Sequence, residues 1–166
     1  GRCPPRGRRG AAGGPALVAR FPERAAWSVL GTLRPEPALA RPDLLASPVA
    51  AALKGWDPGQ AAQVGVAEID PSLADTAAFC AAYGSPMDGS ANCVVVAGRR
   101  GDAVRYAACL VLATTRADVN GLVRRRLDAR KASFAPMDDA VALAGMEYGG
   151  ITPLGLPDGW PLLVDA

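Results

Sequence analysis

The chain contains no histidine. That absence removes Ser-His-Asp and Cys-His catalysis, histidine-ligated zinc and every imidazole general base. Cysteine is sparse as well: Cys3, Cys80, Cys93 and Cys109 are the four, and no two stand in a C-x-x-C spacing that would mark a zinc knuckle or a redox pair. Three of them sit in apolar contexts, where a free thiol acts as a small hydrophobe, and a reducing compartment suits them. Long apolar runs are missing too. The longest, 93–97 and 106–113, are strand-length and fall far short of the ~20 residues a membrane helix needs, so no membrane partner is expected.

Half of the 166 residues are apolar, enough for one domain with a real core. The formal charge of +2 conceals an asymmetry. Residues 1–29 carry six arginines and one glutamate, whereas residues 30–166 carry 12 basic and 15 acidic side chains. The second segment is therefore mildly acidic and offers no broad phosphate-neutralising surface, so DNA is not an expected partner and any RNA contact has to be local and salt-sensitive. Its one dense basic cluster is Arg124, Arg125 and Arg126 with Arg130 and Lys131 close behind. Two readings stand for that cluster: the solvated face of a helix, or a phosphate contact.

The opening GRCPPRGRRGAAGGPA has almost nothing to bury, and residues 1–29 are expected to be a disordered Arg/Gly/Pro-rich extension with no function of its own. It lacks the serines of a transit peptide and the aromatic interleaving of a nucleic-acid arm. From residue 30 the pattern becomes orderly. Ser47 is placed to cap a helix with Pro48 at its first position and Gly55 at its end. Residues 64–69 read as a buried strand. Asp70 and Pro71 open a second helix whose inner face is Leu73, Ala77 and Cys80 and whose stop is Gly84. Residues 92–97 and 104–113 read as a hairpin joined by 98–102. Thr115 is placed to cap a helix over 116–127, with Val119, Leu122, Val123 and Leu127 inward and the arginines outward, and 160–165 reads as a last strand. Strands and helices in this order predict an α/β or α+β domain with a mixed β-sheet and surrounding helices.

The densest local information lies in 130–157, RKASFAPMDDAVALAGMEYGGITPLGLP. Lys131–Phe134 reads as a strand and 136–144 as a helix, with Asp138 and Asp139 favourably placed in its first turn and Gly145 as its stop. A tight loop follows. Gly149 and Gly150 lack a Cβ, so the backbone there can take positive φ and let a ligand approach bare N–H groups, while Pro153 stiffens the exit. The same glycines also suit an ordinary connection in which they only make the turn.

This unit resembles the YbaK and prolyl-tRNA-editing family, the YbaK/aminoacyl-tRNA synthetase-associated domain. The resemblance is most specific at Lys131-Ala132-Ser133-Phe134-Ala135 and at Gly145-Met146-Glu147-Tyr148-Gly149-Gly150-Ile151-Thr152-Pro153, and it extends from about residue 30 to the C-terminus. It implies a compact YbaK-like domain over 30–166 that acts in trans on mischarged tRNA, cutting the ester between a small wrong amino acid and the terminal ribose. It also implies a cytoplasmic protein, an aminoacyl-tRNA synthetase as a second partner, and a further strand and helix past Ala166, so the sequence is expected to be truncated there. With no histidine and no cysteine cluster, neither a metal nor another cofactor is expected. An ester hydrolase built from this chain has to lean on backbone donors, positioned water and the substrate's own hydroxyls.

The resemblance departs at one position. Relatives open the strand after the second helix with a lysine central to activity, and this chain has Asn92-Cys93-Val94-Val95-Val96. A neutral amide in place of an ammonium costs ~1 to 3 kcal/mol of transition-state stabilisation. Asn92, Gly149 and Gly150 are the implied catalytic positions, and Lys131, Ile151, Thr152 and Pro153 the implied substrate contacts. Asn92 also has a plain reading as a strand-start residue serving local backbone groups, and Lys131 as a strand-end lysine in solvent. Cys93, in a valine run with no histidine to activate it, reads as packing. Three functional readings follow: a trans-editing deacylase, a non-catalytic protein binding aminoacyl-tRNA or a synthetase, and a truncated chain without activity.

Overall fold

The computed structural model describes residues 30–165, so the reading of 1–29 as a disordered extension lies outside the described residues. The centre of the fold is the hairpin of β3 (Ala91–Arg100) and β4 (Ala103–Leu112), paired antiparallel from Ala91↔Leu112 to Arg100↔Ala103. β-branched and small apolar residues hold this ladder together: Val95, Val96, Ala97, Ala107, Ala108 and Cys109 are all buried. The expected connection over 98–102 shrinks to Gly101-Asp102, because Gly98, Arg99 and Arg100 stay in the strand and Gly101 takes the positive φ of +58° that a two-residue turn requires.

Two further strands flank the hairpin. Before it stand β1 (Glu36–Pro37), α1 (Ser47–Lys54), α2 (Pro58–Ala61), β2 (Gly65–Val66) and α3 (Thr76–Tyr83). After it come a π-helical turn (Val119–Val123) running into α4 (Arg124–Arg126), then β5 (Lys131–Phe134), α5 (Met137–Ala144) and β6 (Leu162–Val164). The sheet order is β5-β3-β4-β6, with β5 antiparallel to β3 and β6 parallel to β4, so the sheet is mixed as expected and the domain is α+β. β1 and β2 form a separate two-stranded ribbon.

Residues 113–130 cover one face of the sheet. Val123 and Leu127 pack there on Val96, Ala107 and Cys109. Gly98 is required beneath them, since a Cβ at that position would lie 2.9 Å from both Ala129 Cβ and Leu127 Cδ1. Reaching β6 from β5 at the far edge obliges residues 135–161 to cross the other face. Ala144 and Met146 pack there with Val49 and Leu53 of α1 into a second cluster.

Several local expectations are corrected. Ala46 is the N-cap of α1, while Ser47 is its first residue and Pro48 follows inside the first turn, so Ser47 caps nothing. The buried strand over 64–69 reduces to Gly65–Val66, half-buried, because its partner is itself only two residues long. Asp70 and Pro71 open a single 3-10 turn, with Asp70 accepting from the Ser72 N–H at 2.9 Å. Asp75 then caps α3 by accepting from the Ala78 N–H at 3.0 Å. Ala77 is exposed. Gly84 ends α3 in the left-handed conformation, as expected. Thr115 caps no helix: its hydroxyl is held by Asp165, and Asp118 caps the π-helical turn through the N–H groups of Gly121 and Leu122, both at 2.9 Å. Gly121 leaves room for that cap, since a Cβ there would lie 2.1 Å from an Asp118 carboxylate oxygen, and the turn is wider than an α-helical one, so Leu122 turns outward, half exposed. The strand over 160–165 narrows to 162–164.

Candidate functional site

β3 has ten residues and β5 has four, so β5 pairs only with Val96, Ala97, Gly98 and Arg99. Beyond them Ala135 donates its N–H to the Val95 carbonyl at 2.9 Å, and Pro136, which has no N–H to give, turns the chain into α5. Residues 91–94 are left with an open edge. Backbone groups of a strand alternate from side to side, so with Val95 facing β5, the N–H and C=O of Cys93 face the same open side.

That edge is the wall of a cavity of about 410 Å³. Its sides are Asn92 to Val95 of β3, Phe134 and Ala135, the first two turns of α5 at Met137, Ala140 and Val141, and the loop at Tyr148, Gly149 and Ile151. No charged side chain lines it. Burial pushes the Cys93 thiol up to about 11, with the nearby Cys109 adding to the shift. The sulfur therefore stays protonated at neutral pH and is a poor nucleophile.

The loop is built from a turn. Gly150 donates its N–H to the Glu147 carbonyl at 3.0 Å, which places Gly149 third in the turn with φ +78°. A Cβ on Gly149 would stand 2.9 Å from Ala74 Cβ. Ala74, Tyr148 and Gly149 line this cavity and a second, apolar one of about 390 Å³ against Val49 and Val64, so Gly149 and Ala74 form the thin partition between the two. Gly150 has an ordinary φ and its N–H is spent on the turn, and Thr152 spends its own on the Met146 sulfur at 3.4 Å. Among the described residues the N–H groups of Tyr148, Gly149 and Ile151 have no protein acceptor. They and the Cys93 N–H are the donors available to a ligand carbonyl.

The structure thus brings together Asn92, Gly149 and Ile151 around one cavity. Asn92 is half-buried, and its amide oxygen accepts from the Thr76 hydroxyl at 2.8 Å, at the start of α3. The amide nitrogen remains for a ligand. Gly150 and Thr152 stand behind the partition on the second cavity, and Pro153 lines neither. Lys131 is elsewhere: it pairs with Arg99, seven residues along β3 from Asn92, which at ~3.3 Å per residue is about 23 Å away. Sequence reasoning missed the Cys93 backbone, Phe134 and Tyr148. The signal available for the first was the mismatch between a long valine-rich strand and the four-residue strand closed by Pro136. Among the described residues no three cysteine, aspartate or glutamate side chains are grouped to hold a metal ion, and no helix is long and apolar enough to cross a membrane.

A mixed-sheet domain whose uncharged cavity lies between an open strand edge and a glycine loop has the form of a ligand-binding module. The chain belongs to the aminoacyl-tRNA editing domain family, whose model matches residues 70–166 and so spans β3, the cavity and its loop. Among solved structures it is similar to one titled "Crystal structure of hypothetical protein APE2540", with 23% identity and a TM-score of 0.46. That match covers 55% of this chain and 58% of the other. No curated protein matches the chain.

Proposed function

We propose that the protein is a trans-editing deacylase of the YbaK and prolyl-tRNA-editing type, which hydrolyses the ester of a mischarged tRNA in the cytoplasm, alongside or bound to a synthetase. The observation that carries this reading is the cavity where the open edge of β3 meets the loop at Gly149, two elements with backbone N–H groups that take no acceptor among the described residues, inside the family's matched region. An aminoacyl ester fits that chemistry. The N–H groups of Gly149 and Cys93 donate to the carbonyl oxygen and stabilise the negative charge it gains when water attacks the carbon. The carbon–oxygen bond to the ribose then breaks and the ribose hydroxyl leaves with a proton. With no carboxylate, amine or imidazole in the lining and the Cys93 thiol held protonated, the proton passes from the attacking water through the substrate's own neighbouring hydroxyl. An apolar, uncharged lining selects a small uncharged amino-acid side chain. A panel of tRNAs mischarged with such amino acids tests the reading, with release expected from at least one.

A second reading, a non-catalytic protein that binds aminoacyl-tRNA or a synthetase, is favoured by one observation. Asn92 stands where a lysine would bring a cation, and no other cation lines the cavity. Tight binding of mischarged tRNA without release across the whole panel would establish it.

A further inference from the structure

The basic residues of the described chain are unevenly placed. Arg99, Arg124, Arg130 and Lys131 converge on an open groove of about 630 Å³ beside β5, with Asn120 and Ser133 in its wall and no carboxylate. Among the described residues none of these four makes an ion pair; Arg41, Arg100 and Arg105 take the carboxylate partners. Arg124 is oriented by its Nε–H, which donates to the Asn120 carbonyl at 2.7 Å. A solvated helix face accounts for Arg125 and Arg126, which lie outside the groove. It does not account for Arg99 and Lys131, which come from two paired strands and meet Arg124 and Arg130 at one place. Four like charges gathered on an otherwise acidic surface repel one another until a polyanion neutralises them.

β5 connects this groove to the cavity. Lys131, Ala132 and Ser133 line the groove, and the next two residues, Phe134 and Ala135, line the cavity. From Lys131 to Ala135 the backbone advances about 13 Å, a span of a few nucleotides. Phe134 stands between the two with 60% of its surface exposed, offering a flat apolar face to a base.

We infer that the unpaired 3′ end of tRNA runs along β5, with its terminal ribose in the cavity, a base stacked on Phe134 and the preceding phosphates in the groove of Arg99, Arg124, Arg130 and Lys131. This rests on the reading of the cavity as an aminoacyl-ester site. It confines RNA contact to one sheet edge, and it gives Lys131 a role in docking rather than in chemistry.

Fluorescence anisotropy of labelled, uncharged tRNA between about 50 and 200 mM salt tests it. Replacing each of the four cations by Gln should lower the log–log salt slope by about 0.7, the single-strand value per phosphate contact. Arg→Lys at the three arginines should keep the slope, which separates charge from packing. Phe134→Ala should weaken binding roughly tenfold with the slope unchanged, and Lys54→Gln, at the end of α1, should change neither. Removing the 3′-terminal CCA from the tRNA should abolish the effect of all these variants. A slope unchanged in the fourfold Gln variant, affinity indifferent to the CCA end, or no tRNA binding by the wild type overturns the inference. Groove-dependent binding without amino-acid release leaves the groove standing and sinks the deacylase. Hydrolysis with kcat/KM untouched by the Gln variants does the reverse.

Discussion

Asn92 commits its amide oxygen to the Thr76 hydroxyl, so one NH2 group is what it can direct at a ligand. A neutral donor of this kind supports a transition state by about 1 to 3 kcal/mol, and Asn92→Ala should therefore lower the deacylation rate about ten- to a hundredfold with little change in Tm. The two loop glycines separate in the same way. Gly149→Ala places a methyl at φ +78° and 2.9 Å from Ala74 Cβ, and should cost roughly 1 to 2 kcal/mol of stability in chemical denaturation. At Gly150 the nearest atom to a new Cβ is the Glu147 carbonyl oxygen at 3.5 Å, so Gly150→Ala should be close to neutral. Cys93 gives a pH signature. Its folded-state value of about 11 lies above the ordinary 9.0, so the stability it contributes is fully present below pH 9 and is lost as pH rises toward 11. Cys93→Ala should remove that part of the alkaline decline and leave deacylation within a few-fold of wild type; a loss of two or more orders of magnitude would make the thiol a participant. At this scale the sequence identified Gly149 as a special backbone position, since only glycine is at ease there. It did not distinguish Gly150, whose N–H closes the turn that the glycine pair also suited.

Elements whose identity rests on local chemistry were legible. β5, α5 and its Gly145 stop agree with the sequence reading because a short apolar strand, a Pro-led helix with two early aspartates and a glycine end all act within a few residues. The hairpin was legible for the same reason. Residues 64–69 and 116–127 were not, because their form depends on partners: the first has a two-residue strand to pair with, and the second bends over Gly98 with Asp118 at its head. The open edge of β3 belongs to this group, as it results from two strand lengths compared across the fold. The cap of α3 offers a direct check, since α3 carries the Thr76 that holds Asn92. Asp75→Ala should lower stability by about 1 kcal/mol, shifting Tm by a few degrees. Asp70→Ala, which opens only one turn, should move it less.

Across the whole molecule, charge is divided between an Arg-rich segment of 1–29, an acidic domain surface, and one basic groove. We propose that 1–29 is dispensable to the domain, because its composition can bury almost nothing. Deleting it should leave Tm nearly unchanged and the deacylation rate intact, and a fall of many degrees would show that it packs on the rest. A chain without histidine, and without a metal-holding cluster among its described residues, should also be indifferent to chelators, so EDTA should not slow amino-acid release. The central claim is that the cavity at the open edge of β3 hydrolyses an aminoacyl ester with backbone donors, and that Asn92 stands where a cation would raise the rate. Single-turnover release of amino acid from mischarged tRNA, compared for wild type, Asn92→Lys and Gly149→Val, tests it most directly. The account predicts slow release by the wild type, release faster by tenfold or more for Asn92→Lys, and none for Gly149→Val. Wild type and Asn92→Lys that both bind every mischarged tRNA and release nothing would contradict it.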